Sequence, residues 1–203
     1  MAAKNQSSRK SQQQSPDATE LLVLELQEIH SAESQLLRVL PRLTKAVESE
    51  KLQQMLEQRQ EQGERLLQEL DAALEEMEES PGRKKNVAAE GLINDAREHV
   101  QEIAAGPALD AVLIAAMQKT EHYCIAAWGT AKSLAQAVEQ DTVVKSMERA
   151  LREGKTVDEQ LTQLAETEIT PLLLAGDSEE QTEGNGSNQS RNKKSGSERR
   201  ASN

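Results

Sequence analysis

The sequence predicts an all-α fold, a bundle of four long helices, from its composition, its hydrophobic spacing and its helix breakers. The chain has 203 residues with one Trp, one Tyr and no Phe, so aliphatic residues and Met must build the core. Ala, Leu and Met, with the Glu, Gln, Lys and Arg between them, favour helix. No segment alternates apolar and polar residues as a strand would. Pro81-Gly82 and Gly106-Pro107 separate the long periodic segments.

The first helix is predicted to begin near Asp17 or Ala18, with Ser15 or Asp17 as its cap. Pro41 should bend it, because proline removes a backbone hydrogen bond and crowds the preceding turn. All but one of its predicted inward positions are apolar, and the exception is Glu33. These positions are Leu22, Leu26, Ile29, Glu33, Leu36, Leu40, Leu43 and Val47.

The second helix is predicted from about Glu50 to Glu79, where Ser80-Pro81-Gly82 stops it. Its inner face has a polar gap flanked by Glu61 and Glu64, which lie three residues apart on neighbouring parts of one face. An acid pair on a helix so rich in Glu and Gln is more often a solvated face than a site. The predicted inner positions are Leu56, Gln60, Gly63, Leu67, Leu70, Leu74 and Met77.

The connection 83–107 is too long for a simple turn, and Ala88–Ile103 is predicted to form a short helix within it. The third long helix covers Asp110–Val138, and its apolar stripe contains one acid, Glu121. A buried carboxylate costs several kcal/mol unless something pairs with it. Either the bundle supplies a cation for Glu121 or the helix register is off by one.

The fourth long helix is predicted from about Thr142 to Glu168, ended by Pro171. The middle of its inner face is small or polar, at Gly154 and Asp158. The full set of predicted inner positions is Val144, Met147, Leu151, Gly154, Asp158, Leu161 and Ala165.

Each of the four long helices is thus apolar at both ends and interrupted near its middle. An antiparallel bundle brings such interruptions to one level, as in carboxylate-bridged dimetal sites.

Charge and termini divide the chain into a body and two tails. Residues 1–16 carry three bases and no acid and residues 177–203 carry five of each, so residues 17–176 have a formal charge of −14. Both tails are predicted to be disordered from their polar composition. No secretory signal or membrane span is recognisable, and the lone Cys124 excludes an intrachain disulfide, so the cytoplasm is the expected compartment.

Three motifs are similar to the bacterial YciE/YciF-like ferritin-like proteins: Ser31–Leu36 (SAESQL), Glu90–Ile93 (EGLI) and Ala115–Tyr123 (AAMQKTEHY). The similarity covers roughly residues 18–170. It implies a ferritin-like up-down bundle with an extra short helix in the crossover between helices 2 and 3. It also implies a homodimer, a link to stress responses and a dimetal centre.

The resemblance implies metal ligands at Glu33, Glu61, Glu64, Glu121 and Asp158. Glu33 and Glu121 match the family's ligands on helices 1 and 3, Glu61 matches the first position of a Glu-x-x-His motif, and Asp158 matches an acid on helix 4. Three positions depart from the pattern: Glu64 replaces the His of that motif, Cys124 replaces a Glu, and Gly154 stands where a Glu is common. No imidazole is matched, although a hard dimetal site uses about two.

Three functions remain open. In the first, a dinuclear iron or manganese centre handles iron or oxidants, with or without turnover. In the second, the fold is a metal-free pseudo-ferritin that acts as a dimeric structural or interaction protein. Pairing with Arg59, or a shared proton, would then keep Glu33 and Glu121 in the core. The third, and least favoured, is nucleic-acid binding by the basic residues of 191–200 in the C-terminal tail.

Overall fold

The protein is a bundle of four long helices with a fifth, shorter helix packed on it. A computed structural model describes residues 15–176. The helices are α1 (Ala18–Ala46), α2 (Glu50–Glu76), α3 (Val87–Glu102), α4 (Pro107–Ala137) and α5 (Asp141–Leu164). Within the described range there is no strand, so the all-α prediction is confirmed. No helix in that range is long and apolar enough to cross a bilayer. The predicted tails lie outside the described residues, apart from residues 15 and 16.

The long helices form two hairpins, α1–α2 and α4–α5, each joined by three residues. α1 contacts α2 and α4, and α5 contacts α4 and α2, so the four helices form a closed ring. α3 lies in the long connection between the hairpins and packs against α1 and α4. This arrangement leaves one interior surrounded by the four long helices.

The interior consists of two apolar clusters with a polar layer between them. One cluster contains Leu40, Leu52 and Leu113, and the other contains Leu22, Leu74 and Trp128. The predicted interruption near the middle of each helix therefore corresponds to a real level in the bundle. Apolar burial on both sides makes that level difficult for water to reach.

Polar anchors fix the helix ends. Asp17 caps α1 in a reciprocal capping box with Glu20, with both bonds at 2.9 Å. Buried Asp110 at the start of α4 accepts the backbone N–H groups of Glu48 and Ser49 at 3.0 and 2.9 Å. One carboxylate thereby ties the α1–α2 turn to α4.

The helix registers of α2 and α5 differ from prediction by one position in places. α2 buries Arg59 and Leu66, while Gln60 and Leu67 are half-buried. α5 likewise buries Val143, Ala150 and Val157, while their predicted neighbours Val144, Leu151 and Asp158 are half-buried. Each buried residue directly precedes the predicted one, because neighbouring positions on a helix differ by only 100° and both can touch the core edge.

The final helix does not stop at Pro171, contrary to the prediction. A π-helical segment, Ala165–Ile169, follows α5, and helix continues over 170–176. The Thr170 N–H donates to the Ala165 carbonyl, five residues back. This wider turn relieves the clash that a proline ring makes with the carbonyl four residues before it.

Candidate functional site

Glu33, Arg59 and Glu121 meet in the polar layer at the centre of the bundle. Their exposed fractions are 0%, 2% and 0%. Arg59 Nη2 donates to Glu33 Oε1 and Oε2 at 2.9 and 3.0 Å, and Arg59 Nε donates to Glu121 Oε1 at 2.5 Å. One guanidinium from α2 therefore bridges carboxylates from α1 and α4. Bonds between ionised partners are about twice as strong as neutral ones.

Two glycines make room for this cluster. A Cβ atom on Gly63 would lie 3.0 Å from Arg59 Nη1 and 3.1 Å from Glu33 Oε2. A Cβ atom on Gly154 would lie 2.5 Å from Trp128 Cζ3 and 3.3 Å from Glu121 Oε2. The absence of side chains at these positions lets α2 and α5 approach the buried charges closely.

Trp128 covers the cluster on one side. Its ring centre lies 5.8 Å from Arg59 Cζ, within the range of a cation–π contact. Glu121 Oε2 and Trp128 Nε1 are buried without a hydrogen-bond partner among the described residues. The hydrogen bonding of the cluster is therefore incomplete: both oxygens of Glu33 accept from Arg59, but only one oxygen of Glu121 does.

Burial and neighbouring charges set the protonation states. Burial raises the pKa of Glu121, Arg59 opposes this rise, and Glu33 adds to it. Burial works against the charge on Arg59, but Glu121 and Glu33 outweigh it and raise the pKa of Arg59 well above its usual value. Arg59 is therefore the permanent cation, and Glu121 takes up a proton more readily than an ordinary glutamate does, because its pKa is raised.

Cys124, one turn after Glu121, is a buried neutral thiol. Burial raises its pKa well above the ordinary value, and Glu33 and Glu121 raise it further. A thiol that stays protonated is a poor nucleophile and a poor metal ligand. Its position in the apolar cluster of Trp128 fits small core filling.

The other acids expected to bind metal do not reach the cluster. Glu61 and Glu64 are exposed on α2, and Glu64 Oε1 accepts from Gln60 at 2.9 Å. Asp158 is partly exposed, accepts from Gln118 Nε2 at 3.3 Å, and lies 3.4 Å from His122 Nε2. The structure thus brings Glu33 and Glu121 together and leaves the remaining three at the surface or its edge.

The donor set does not fit a dinuclear metal centre. Such a centre uses about four carboxylates and two imidazoles that converge on open positions. Here two carboxylates converge and both are bonded to Arg59. The imidazoles of His30 and His122 lie 3.0 and 3.4 Å from other acids, Asp71 and Asp158. In residues 15–176, no three His, Cys, Asp or Glu side chains are grouped so that they could hold a metal ion.

The metal-free alternative predicts Arg59 as the partner of Glu33 and Glu121, and the structure confirms this contact. The predicted inner face of α2 does not include Arg59. This residue lies three residues after Leu56 and four before Gly63, which is a valid inward spacing. Its neighbours are Gln58 and Gln60, so no apolar signal marks it. The two acids in apolar stripes were the available clue, since each required a cation.

Comparison with known proteins places this bundle in a family. Residues 17–172 match the family model described as "Domain of unknown function (DUF892)". The Escherichia coli K12 protein YciF is 38% identical over 141 residues, or 69% of this chain and 85% of that protein. The crystal structure of the E. coli stress protein YciF matches with a TM-score of 0.72 and 34% identity, over 77% of this chain and 99% of that one. A Rhodopseudomonas palustris structure, "YcfI, a putative structural protein", matches with a TM-score of 0.69 and 29% identity, over 74% and 96%. The chain therefore belongs to the DUF892 family.

Proposed function

We propose that this chain is a metal-independent, stress-associated structural protein of the ferritin-like type. The Arg59 guanidinium takes the place that metal ions hold in a carboxylate-bridged bundle. The observation that carries the proposal is the contact of one buried guanidinium with both Glu33 and Glu121. A cation built into α2 bonds to both carboxylates and offsets one of their two negative charges without any exchange with solvent.

The electrostatics of the layer support this reading. Removing ions from water is costly, and buried ions persist when their partners are close and hydrogen bonded. Arg59 supplies three bonds to the two carboxylates. Its positive charge also opposes the entry of a second cation, because like charges a few ångströms apart repel strongly in a poorly solvated core.

The proposal assigns the protein a supporting or interaction role in place of turnover. The description of the R. palustris relative as a putative structural protein is in keeping with this role. We also infer a homodimer in the cytoplasm, as the family resemblance implies. Light scattering should then give twice the chain mass of 22.4 kDa.

Metal content tests the proposal directly. The full chain would be purified without chelator, loaded anaerobically with ferrous iron or manganese, desalted and analysed by mass spectrometry. We expect no more metal than the matched control, Glu33→Gln with Glu121→Gln, retains. About two metals per chain, lost in that control, would contradict the proposal and favour the iron- or oxidant-handling function.

A further inference from the structure

A basic groove lies between α1 and α3, on the outside of the bundle. It encloses about 300 Å³. Two helix faces and one loop residue form it, and its lining is Gln35, Arg38, Val39, Arg42, Lys85, Glu90, Ile93, Asn94 and Arg97. The Glu33–Arg59–Glu121 cluster contributes nothing to it, so the groove is separate from the bundle centre.

The helical spacing explains how the groove is built. The lining residues of α1 and those of α3 each fall at positions i, i+3, i+4 and i+7, which is one continuous face of a helix. Val39 and Ile93 are 6% and 7% exposed and form the floor. The charged residues Arg38, Arg42 and Arg97 are exposed at the rim.

Asn86 holds the two walls in place. Its backbone N–H donates to Ser31 Oγ at 2.9 Å, and its carbonyl accepts from Gln35 Nε2 at 3.0 Å. Its side chain caps α3 through the Ala89 N–H at 3.0 Å. The start of α3 is therefore fixed to α1 before any ligand arrives, which lowers the ordering cost of binding.

The groove has uncompensated positive charge. Among residues 15–176, Arg38, Arg42 and Arg97 have no carboxylate within 4 Å, whereas Lys85 pairs with Glu90. Four bases and one acid give the lining a formal charge of +3. The whole body, residues 17–176, carries −14 with the groove included. Unpaired arginines concentrated in one groove of an acidic protein attract a compact anion from solution.

We propose that this groove binds the oligophosphate group of a small molecule. Guanidinium groups present a planar fork of donors that matches phosphate oxygens, and three arginines with one lysine suit an anion with several charges. The lining of α1 spans seven residue steps, about 11 Å at 1.5 Å per residue. That length fits a short phosphate chain. A nucleic-acid strand would extend beyond the groove onto the negative body.

Sodium tripolyphosphate is the probe for this site. Isothermal titration of the full chain at low ionic strength should show one site per chain that weakens as salt is added. The double variant Arg38→Gln/Arg42→Gln should bind at least about tenfold more weakly, because charge-assisted bonds are lost. Arg152→Gln/Lys155→Gln is the matched control: both residues are exposed on α5, outside the groove, and it removes the same charge.

The control should bind within about twofold of the parent, since its two residues do not line the groove and cannot bond to an anion held there. All four residues are exposed, so unfolding midpoints should match across the variants. No binding of tripolyphosphate at low salt would overturn the proposal, as would equal weakening in the control. Citrate bound as tightly as tripolyphosphate would overturn the phosphate assignment. A DNA oligonucleotide that binds through Arg38 and Arg42 more tightly than tripolyphosphate would do the same.

Discussion

Arg59 Nη2 lies 2.9 and 3.0 Å from the two carboxylate oxygens of Glu33, so one nitrogen of α2 is shared by both oxygens of an acid on α1. The Nε atom of the same guanidinium is left for Glu121 on α4. Three helices of the bundle are therefore joined through one side chain at the level where the apolar core is interrupted. The stability of the fold should depend on this contact more than on any surface ion pair.

Removal of the cation should be strongly destabilising. Arg59→Met keeps most of the volume of the side chain but leaves two buried carboxylates without a partner. We expect the free energy of unfolding at neutral pH to fall by about 3–5 kcal/mol. Urea denaturation followed by circular dichroism measures it. A loss below about 1 kcal/mol would be typical of an exposed pair and would contradict a buried bridge.

Replacement of all three charged residues distinguishes two quantities: the destabilisation caused by an unpaired buried charge, and the net contribution of the ion pairs to stability. Glu33→Gln, Arg59→Met and Glu121→Gln together remove all three charges at similar volume. We expect this triple variant to recover most of the stability lost by Arg59→Met, because no buried charge remains unpaired. If the triple variant is as unstable as Arg59→Met, the loss comes from packing and not from charge.

Glu121 should make stability depend on pH. Burial raises its pKa in the folded state above the ordinary 4.5. The folded protein therefore holds this proton more tightly than the unfolded chain does. This contribution is complete below about pH 4.5 and is lost as the pH rises through the higher folded pKa. Glu121→Gln mimics the protonated acid at every pH, so the variant does not lose this contribution to stability.

The stability difference between the parent and Glu121→Gln should accordingly shift in favour of the variant as the pH rises above 4.5. Urea denaturation in a series of buffers across that range measures the difference. The change belongs to the coupled cluster, since Glu33 and Arg59 both act on Glu121. If the stability difference instead shifts in favour of the parent as the pH rises, the pKa of Glu121 is lowered by folding and the prediction is wrong.

Two glycines should respond to alanine with opposite signs. Gly154→Ala places a Cβ 2.5 Å from Trp128 Cζ3, so the ring must move, at a cost of about 1–3 kcal/mol. Gly129→Ala, on α4, has no such neighbour within 4 Å and should stabilise by about 0.5–1 kcal/mol through helix propensity. Thermal unfolding with Trp fluorescence measures both. Equal effects at the two positions would contradict close packing at Gly154.

A metal response should appear only when the arginine is removed. Arg59→His places an imidazole near Glu33 and Glu121, a donor set that divalent transition metals accept. We expect manganese or zinc to raise the unfolding midpoint of this variant and leave the parent unchanged. Saturation at about 100 times the dissociation constant adds about 2.7 kcal/mol. An equal rise in the parent would show that Arg59 does not exclude a cation.

The helical class, the approximate helix bounds and the two acids in apolar stripes can all be recognised from the sequence alone. Hydrophobic periodicity carries that information locally, and the bounds agree within a few residues: α3 was predicted at Ala88–Ile103 and lies at Val87–Glu102. Glu33 and Glu121 stood out because an acid in such a stripe breaks the pattern. The need for a cation followed from the cost of burying charge.

The choice between a metal ion and Arg59 as the cation that meets these acids depends on how the helices pack. Arg59, Glu61 and Glu64 lie within one polar stretch of α2 but face different directions, because at about 100° per residue Glu61 and Glu64 are turned about 200° and about 140° from Arg59 around the helix axis. The rotation of α2 in the bundle therefore determines which of them faces inward. That rotation is set by the packing of Leu52, Leu56, Leu66 and Leu70 against the other helices, through contacts between residues far apart in the chain. The same packing brings α3 against α1 and creates the basic groove. No local sequence pattern predicts the Glu33–Arg59–Glu121 cluster or the basic groove, because each is formed by side chains from different helices that meet only in the folded protein.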